Sequence, residues 1–296
     1  VSDPGVPRYA DPDAAIRSIY GPEVTVQRRS PVAGGCISNG TRLDLSDGTS
    51  LFMKESRRLP PGMFRAEAQG LGALRSDHVR VPQPLAYGQG ERYGFVLMEW
   101  IDSGSKRADF DTLLGAGLAE LHRGRQCPRA GFDGDNYIGS TPQENPWTGS
   151  WIAFFREHRI GFQLRLAVRR NRLDGPSAKG IERLMQRLEE LLPEVDQKSI
   201  LHGDLWGGNV MVGSDGGAVL IDPAVYYGHR EADLAMTELF GGFSRRFYDA
   251  YREAWPLVPG YSDRRDLYNL YHLLNHLNIF GGSYLSSVNG IVARYR

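Results

Sequence analysis

Cysteine is scarce in this chain: Cys36 and Cys127 are the only two among 296 residues. Two thiols make no disulfide framework, so a small secreted scaffold held by bridges is excluded and a reducing, cytoplasmic compartment is expected. Charge imbalance is missing too. The 35 basic residues cancel the 35 acidic ones, which leaves no net field to draw nucleic acid or an anionic membrane surface. No uninterrupted apolar run is long enough to span a bilayer. The start, Val1-Ser-Asp-Pro-Gly-Val-Pro, has no apolar signal core. There is no internal repeat and no long low-complexity tract. What is present is ordinary in bulk: 41% hydrophobic and 24% charged residues, with room for one large domain or two smaller ones.

The elements are unevenly distributed. Residues 14–20 read as a short helix and 24–28 as a strand. Strands over 42–45 and 50–54 are joined by Ser46-Asp47-Gly48, a good hairpin turn. Residues 64–74 read as a helix, Pro82 and Pro84 mark a loop, and 93–100 is an apolar strand. Beyond this the pattern is mostly helical. Phe110, Leu113, Leu114, Gly117, Leu118 and Leu121 recur at helical spacing, and 151–170, 179–192, 231–240, 244–255 and 263–278 read as further helices. The expected class is α+β with two lobes: a small N-terminal lobe of antiparallel sheet and one helix (1–98), a hinge (99–103), and a larger, mainly helical lobe (104–296). Nucleotide sites commonly sit in the cleft of such a plan.

The most informative stretch runs from 201 to 222. It reads Leu-His-Gly-Asp-Leu-Trp-Gly-Gly-Asn, then two β-prone runs around Gly213-Ser-Asp-Gly-Gly217, then Ile221-Asp222-Pro223. A hairpin over 210–221 makes neighbours of Asn209 at its entry and Asp222 at its exit. Asp204, Asn209 and Asp222 form the set that phosphoryl transfer from ATP requires. One carboxylate orients the attacking hydroxyl and takes its proton, while an amide oxygen and a second carboxylate hold Mg2+ on the phosphates. Magnesium is a hard cation that prefers such oxygen ligands. The bland alternative is a surface hairpin with ordinary turn carboxylates, and the register of His202, Gly203, Asp204, Asn209 and Asp222 argues against it.

Other candidates gain weight from that motif. Gly34, Gly35, Cys36, Ile37 and Ser38 lie in a glycine-rich loop between two strands, where backbone N–H groups can approach phosphate oxygens. Lys54 ends the strand Leu51-Phe52-Met53. Phe64, Glu67, Leu71 and Leu74 share one helix face, so Glu67 lies within an apolar stripe and needs a partner; Lys54 is the candidate. Main-chain groups of Met98, Glu99 and Trp100, where the last small-lobe strand ends, read either as a contact for an adenine edge or as a simple linker. Trp206 is either a core aromatic or a stacking wall for a substrate near Asp204. His202 is expected to support its loop, and Asp233 to tie that loop from a helix start. Tyr271, His272, Asn275, His276 and Asn278 put polar groups on a late helix; they read first as exposed or satisfied packing, and second as a polar face that lines a substrate site. Cys36 reads first as a small residue that fits its loop, and second as a thiol open to oxidation.

With these residues, the chain resembles the fructosamine kinase (ketosamine-3-kinase) family, a branch of the protein-kinase-like fold shared with aminoglycoside phosphotransferases. The resemblance runs from about 16 to 294. It takes in Gly35-Cys36-Ile37-Ser38, Phe52-Met53-Lys54, the helix around Glu67, Tyr137-Ile138-Gly139, Pro142-Gln143 and the Phe-Phe-Arg-Glu-His-Arg run within 151–159. Most specific are His202-Gly-Asp-Leu-Trp-Gly-Gly-Asn209, Asp222-Pro-Ala-Val-Tyr-Tyr-Gly-His229 and Leu239-Phe-Gly-Gly-Phe243. It implies Asp204 as catalytic base, Asn209 and Asp222 as magnesium ligands, Lys54 on the ATP phosphates, Glu67 orienting Lys54, and Trp206 on the sugar. The implied substrate is a small-molecule or protein-bound ketosamine, phosphorylated chiefly on its 3-hydroxyl so that the amine is released. Both a monomer and a dimer are compatible with this reading. The competing readings are a kinase for a free sugar, aminoglycoside or amino alcohol on the same fold, and an inactive kinase-like binding module. The second would have lost Lys54, Asp204, Asn209 or Asp222, and all four are present.

Overall fold

The computed structural model describes residues 5–32, 39–57, 60–90 and 93–295. The chain forms two compact units: Val1–Phe110 with Asn209–Pro223, and Asp111–Gly208 with Ala224–Arg296.

In the first unit, helix α1 (Pro12–Tyr20) starts where the Asp11 carboxylate accepts the Ala14 N–H at 2.7 Å, with proline at the first helical position. Strands β1 (Val26–Val32), β2 (Asn39–Leu45) and β3 (Ser50–Ser56) follow, then α2 (Met63–Leu74), β4 (Pro84–Gln89) and β5 (Gly94–Glu99). They form one antiparallel sheet in the order β1-β2-β3-β5-β4. Alternating residues Leu43 and Leu45, Leu51 and Met53, and Phe95 and Leu97 enter one core with Ala15 and Ile16 of α1. Helix α2 packs on β4 and β5, burying Phe64, Ala68, Leu71 and Leu74. The prolines at 82 and 84 read as a loop in the sequence, yet Pro84 opens β4. A proline is tolerated as the first residue of a strand, here the last strand in the sheet order.

Strands β10 (Val210–Val212) and β11 (Ala218–Leu220) make the expected hairpin. It joins the first unit through backbone bonds: the N–H of Leu220 donates to the Arg80 carbonyl at 2.9 Å and that of Gly104 to Val212 at 3.0 Å.

The second unit is built mainly from helices: α3 (Phe110–Gly124), α4 (Trp151–Phe154), α5 (Phe162–Arg169), α6 (Gly175–Gln186), α7 (Leu188–Leu191), α8 (Glu231–Leu239), α9 (Arg245–Ala254), α10 (Tyr261–Phe280) and α11 (Leu285–Arg294). A small sheet runs β12 (Tyr226–Gly228), β9 (Lys198–Leu201), β6 (Gln126–Cys127), beside a hairpin of β7 (Asn136–Ile138) and β8 (Thr141–Gln143). Helix α10 packs against α5, α8 and α11, in a core that includes Trp151, Phe154, Phe155, Leu184, Tyr226, Tyr268 and Leu274. The helix expected over 151–170 is interrupted by a π-helical stretch, Phe155–Gly161. Within it Arg159 is fully buried, its guanidinium 3.9 Å from the Tyr226 ring centre and bonded to the Glu144 carbonyl and the Asn145 side chain. Such wider turns recur at functional positions. Among the described residues no helix is long and apolar enough to cross a membrane.

Candidate active site

Strand alternation sets up the first part of the site. Met53 enters the sheet core, so Lys54 emerges on the other face, where α2 brings Glu67. Lys54 Nζ lies 2.5 Å from Glu67 Oε1 and 2.5 Å from Asp222 Oδ1; the lysine and Glu67 side chains are 14% and 15% exposed and that of Asp222 41%. Burial alone would push the ammonium pKa down. The charges and hydrogen bonds of the two carboxylates outweigh it and hold Lys54 above the ordinary lysine value. Burial pushes Glu67 up, Lys54 pulls it down, and the nearby Asp222 charge pushes it up again, leaving its pKa raised. The pairing of Lys54 with Glu67 agrees with the helical spacing; the reach of Lys54 to Asp222 had no signal in the sequence.

Asn209 and Asp222 are neighbours, as the hairpin spacing implied. The Ile221 N–H donates to the Asn209 carbonyl at 3.0 Å and closes the hairpin's base. Asp222 has a φ of 55°, a left-handed backbone that costs a non-glycine residue roughly 1–2 kcal/mol. Strain of this kind persists where the surrounding structure imposes it, and it gathers at functional positions.

In the second unit, the fully buried strand β9 delivers His202, Gly203 and Asp204 at its end. Asp233, in the first turn of α8, accepts the N–H of His202 at 2.7 Å and of Gly203 at 2.8 Å, and stands 3.2 Å from His122 Nε2. Burial pushes the Asp233 carboxyl up, but the hydrogen bond and field of His122, with help from His202 and the Gly203 N–H, hold it below its ordinary value. The other His122 nitrogen meets the Tyr251 hydroxyl at 2.9 Å. Gly203 has a φ of 80°, and a Cβ there would stand 2.0 Å from the Ala224 carbonyl oxygen; only glycine fits. His202 accepts the Asp204 N–H on Nδ1 at 3.3 Å and the Ala224 N–H on its carbonyl at 2.8 Å. These are the supporting roles expected of His202 and Asp233. His122 was missed because a histidine on a long helix carries no local signal for a partner 111 residues away.

Trp206 is exposed rather than a core residue, with 41% of it accessible. Its ring folds back over Gly208, where a Cβ would stand 2.3 Å from the indole. It meets Phe240 edge-on at 6.3 Å, and Phe240 lies 4.8 Å from His276, whose ring neighbours Phe280 and Tyr284 at 5.5 and 5.1 Å. Trp206 and His276 thus belong to one partly exposed aromatic run. The link, Phe240, was legible only as part of the Leu239-Phe-Gly-Gly-Phe243 match. His276 Nδ1 is 2.8 Å from the His272 carbonyl. A carbonyl only accepts, so Nδ1 carries the proton and Nε2 is the acceptor. Burial keeps this ring below the ordinary histidine pKa.

The glycine-rich candidates Gly34, Gly35, Cys36, Ile37 and Ser38 lie outside the described residues. Met98 and Glu99 close β5, and the Glu99 N–H already donates to the Gln83 carbonyl at 2.9 Å. The Glu99 carboxylate takes Arg80 at 2.7 Å, and the Trp100 indole N–H donates to Asp102 at 2.7 Å beneath the Arg42 guanidinium.

The fructosamine kinase family model matches residues 10–296. A "Probable ketoamine kinase" of Synechocystis is 43% identical over 271 residues, covering 91% of this chain and 90% of that protein. The "Protein-ribulosamine 3-kinase, chloroplastic" of Oryza sativa subsp. indica is 43% identical over 270 residues, 90% of this chain and 78% of its own length. A crystal structure from Thermobifida fusca, provisionally named fructosamine-3-kinase, superposes with a TM-score of 0.85 at 35% identity, covering 96% of this chain and 97% of that one.

Proposed function

Because the chain belongs to the fructosamine kinase family, we propose that it transfers the γ-phosphoryl group of ATP to the 3-hydroxyl of a ketosamine, a ribulosamine or fructosamine adduct of an amine. The observation that carries this reading is the placement of Lys54 between Glu67 and Asp222, which supports a phosphate-binding lysine held by one carboxylate beside a second that faces the metal.

In this reading Asp204 accepts the proton of the sugar hydroxyl as its oxygen attacks the γ-phosphorus; the bond to the β-phosphate oxygen breaks, ADP leaves, and the proton passes to solvent. Glu67 keeps Lys54 oriented, and Lys54 meets the phosphates. The protein's oxygen donors fit magnesium: Asn209 and Asp222 stand at the two ends of one hairpin, and two protein oxygens suit an ion that keeps water and takes phosphate oxygens. Bound there, magnesium would draw off charge from the phosphates. Trp206 and His276 take the sugar, the indole as a stacking face and the imidazole Nε2 as an acceptor. Residues 1–98 would be the nucleotide-binding lobe, with 34–38 over the phosphates; 99–103 the hinge, whose main chain meets adenine; and 104–296 the catalytic lobe, less the hairpin that packs with the first unit. A chain with two cysteines suits the reducing cytoplasm.

The product explains deglycation chemically. Phosphate leaves more readily than hydroxide. Enolisation toward the amine-bearing carbon expels it from the third carbon, and water then hydrolyses the resulting imine to release the amine.

The test is ATP consumption with ribulosyl-lysine, fructosyl-lysine, a free ketose and an aminoglycoside, each with and without magnesium. Magnesium-dependent turnover on a ketosamine is expected. Turnover confined to the free sugar or the aminoglycoside would overturn the substrate while keeping a kinase.

A further inference from the structure

Two segments of the family resemblance, Tyr137-Ile138-Gly139 and Pro142-Gln143, have no task in the reaction as proposed. The geometry points to one. We propose that Gln143 is a positioning residue for Asp204, acting through the peptide of Ala224; the inference rests on Asp204 being the base.

Gln143 ends β8 and is 1% exposed. Both ends of its amide are committed. Nε2 donates to the Ala224 carbonyl at 3.0 Å and to Asn136 Oδ1 at 2.7 Å, while Oε1 accepts from the Tyr271 hydroxyl at 2.5 Å. The orientation is consistent throughout. Asn136 Nδ2 donates to the Val225 carbonyl at 2.7 Å, so its oxygen is the atom that faces Gln143. A flipped Gln143 amide would set an oxygen against two acceptors. Behind this pair, Asn145 Nδ2 donates to the same Asn136 oxygen at 3.1 Å and takes Arg159 Nη2 on its own oxygen at 2.7 Å.

The cluster therefore holds two successive carbonyls, those of Ala224 and Val225. Ala224 is also the residue that the Asp204 loop leans on. Its N–H donates to the His202 carbonyl at 2.8 Å, and its carbonyl oxygen is the atom 2.0 Å from where a Gly203 Cβ would stand. A shift of Ala224 moves His202 and Gly203, and Asp204 is the next residue. A base must be placed within a fraction of an ångström of its target, and a displacement of about 1 Å costs about 100-fold in rate. The buried amide carries the donor that the buried Ala224 carbonyl requires; an apolar side chain of the same size would fill the space and leave that carbonyl unpaired.

The experiment compares Gln143→Met, which keeps the volume and removes both donors, with Leu184→Ala, a cavity in the helical core of the same unit at an apolar side chain that takes no part in these hydrogen bonds. Gln143→Met is expected to lower kcat about 10- to 100-fold, with KM for ATP and ketosamine within about threefold. The amides of His202, Gly203 and Asp204 should exchange hydrogen faster. Leu184→Ala, at a comparable loss of Tm, should keep kcat. An unchanged kcat in Gln143→Met, or an equal fall in Leu184→Ala, overturns the role. If Gln143→Met does not fold, Tyr271→Phe takes its place, since it keeps the ring and removes the hydroxyl that orients the amide, a hydroxyl that also meets Gln163. A smaller fall in kcat with the same exchange pattern is expected, and no change in either overturns the role. Asp204→Asn run in parallel separates the two readings: faster loop exchange in the Gln143 variant while Asp204→Asn stays active would sink the base assignment and keep the loop contact.

Discussion

Lys54 Nζ and Glu67 Oε1, thirteen residues apart in the chain, meet at 2.5 Å across a strand and a helix. Lys54 also serves Asp222, so removing it leaves two carboxylates without their shared cation. Lys54→Met is expected to destabilise the protein by roughly 3–5 kcal/mol, as breaking a buried pair does, and to lower kcat/KM for ATP by at least about 100-fold. The deficit depends on pH. The folded Glu67 pKa is raised, so the folded state holds this proton where the unfolded state has released it, and stability falls as pH rises above the ordinary glutamate value. The deficit of Lys54→Met should therefore shrink at about pH 5 relative to about pH 8. Thermal melts of both proteins at the two values check this; equal deficits would show that Glu67 carries no unbalanced charge.

Asp204→Asn should lower kcat by roughly 10²- to 10⁴-fold, the usual span for general-base loss, with Tm within a few degrees of the parent, because the Asp204 side chain is only half-buried. Single-turnover ADP formation with a ketosamine is the measurement. Retained activity would remove Asp204 from the proton transfer.

Trp206 is exposed and rests on Gly208. Trp206→Ala is expected to leave Tm nearly unchanged and to raise KM for the ketosamine by up to about tenfold, the worth of one aromatic contact, with KM for ATP unaffected. Gly208→Ala, which drives a methyl group into the indole, should do the same. A rise in KM for ATP instead would move Trp206 out of the sugar site.

Two buried histidines set a limit in acid. Burial, reinforced by neighbouring cations, pushes His229 down to about 3; burial, with His276 and Arg159 nearby, does the same to His272. The unfolded chain takes up protons near the ordinary histidine value, and the folded chain does not. Stability is therefore complete above about pH 6.5 and falls as pH drops below it, by up to about 1.4 kcal/mol per pH unit for each ring. Urea unfolding between about pH 7 and pH 5 measures the slope. His272→Gln should remove about one ring's share, and an unchanged slope would contradict the assignment.

Legibility followed the range of the interaction. The Ser46-Asp47-Gly48 turn, the hairpin that makes neighbours of Asn209 and Asp222, and the helix face that carries Glu67 rest on contacts a few residues apart, where backbone chemistry and periodicity decide. Strand β4 was hidden behind its prolines, and β6, β9 and β12 behind their shortness: two, four and three residues leave no period to read. The π-helical stretch at 155–161 was hidden by the helical composition on either side of it.

The proposal of Asp204, Asn209 and Asp222, with Lys54 and Glu67, as a phosphoryl-transfer set rests on residue type and spacing, since that chemistry needs oxygen donors, a base and a cation. What only the tertiary structure decided is how these groups are held. Lys54 meets Asp222 across 168 residues, Asp233 grips the His202-Gly203 turn from about 30 residues downstream, and Gln143 reaches the Ala224 carbonyl across 81. No local preference encodes such pairs. They follow from burial of at least one partner: a lysine, carboxylate, amide or carbonyl taken out of water must find its partner wherever the chain has been folded to bring one.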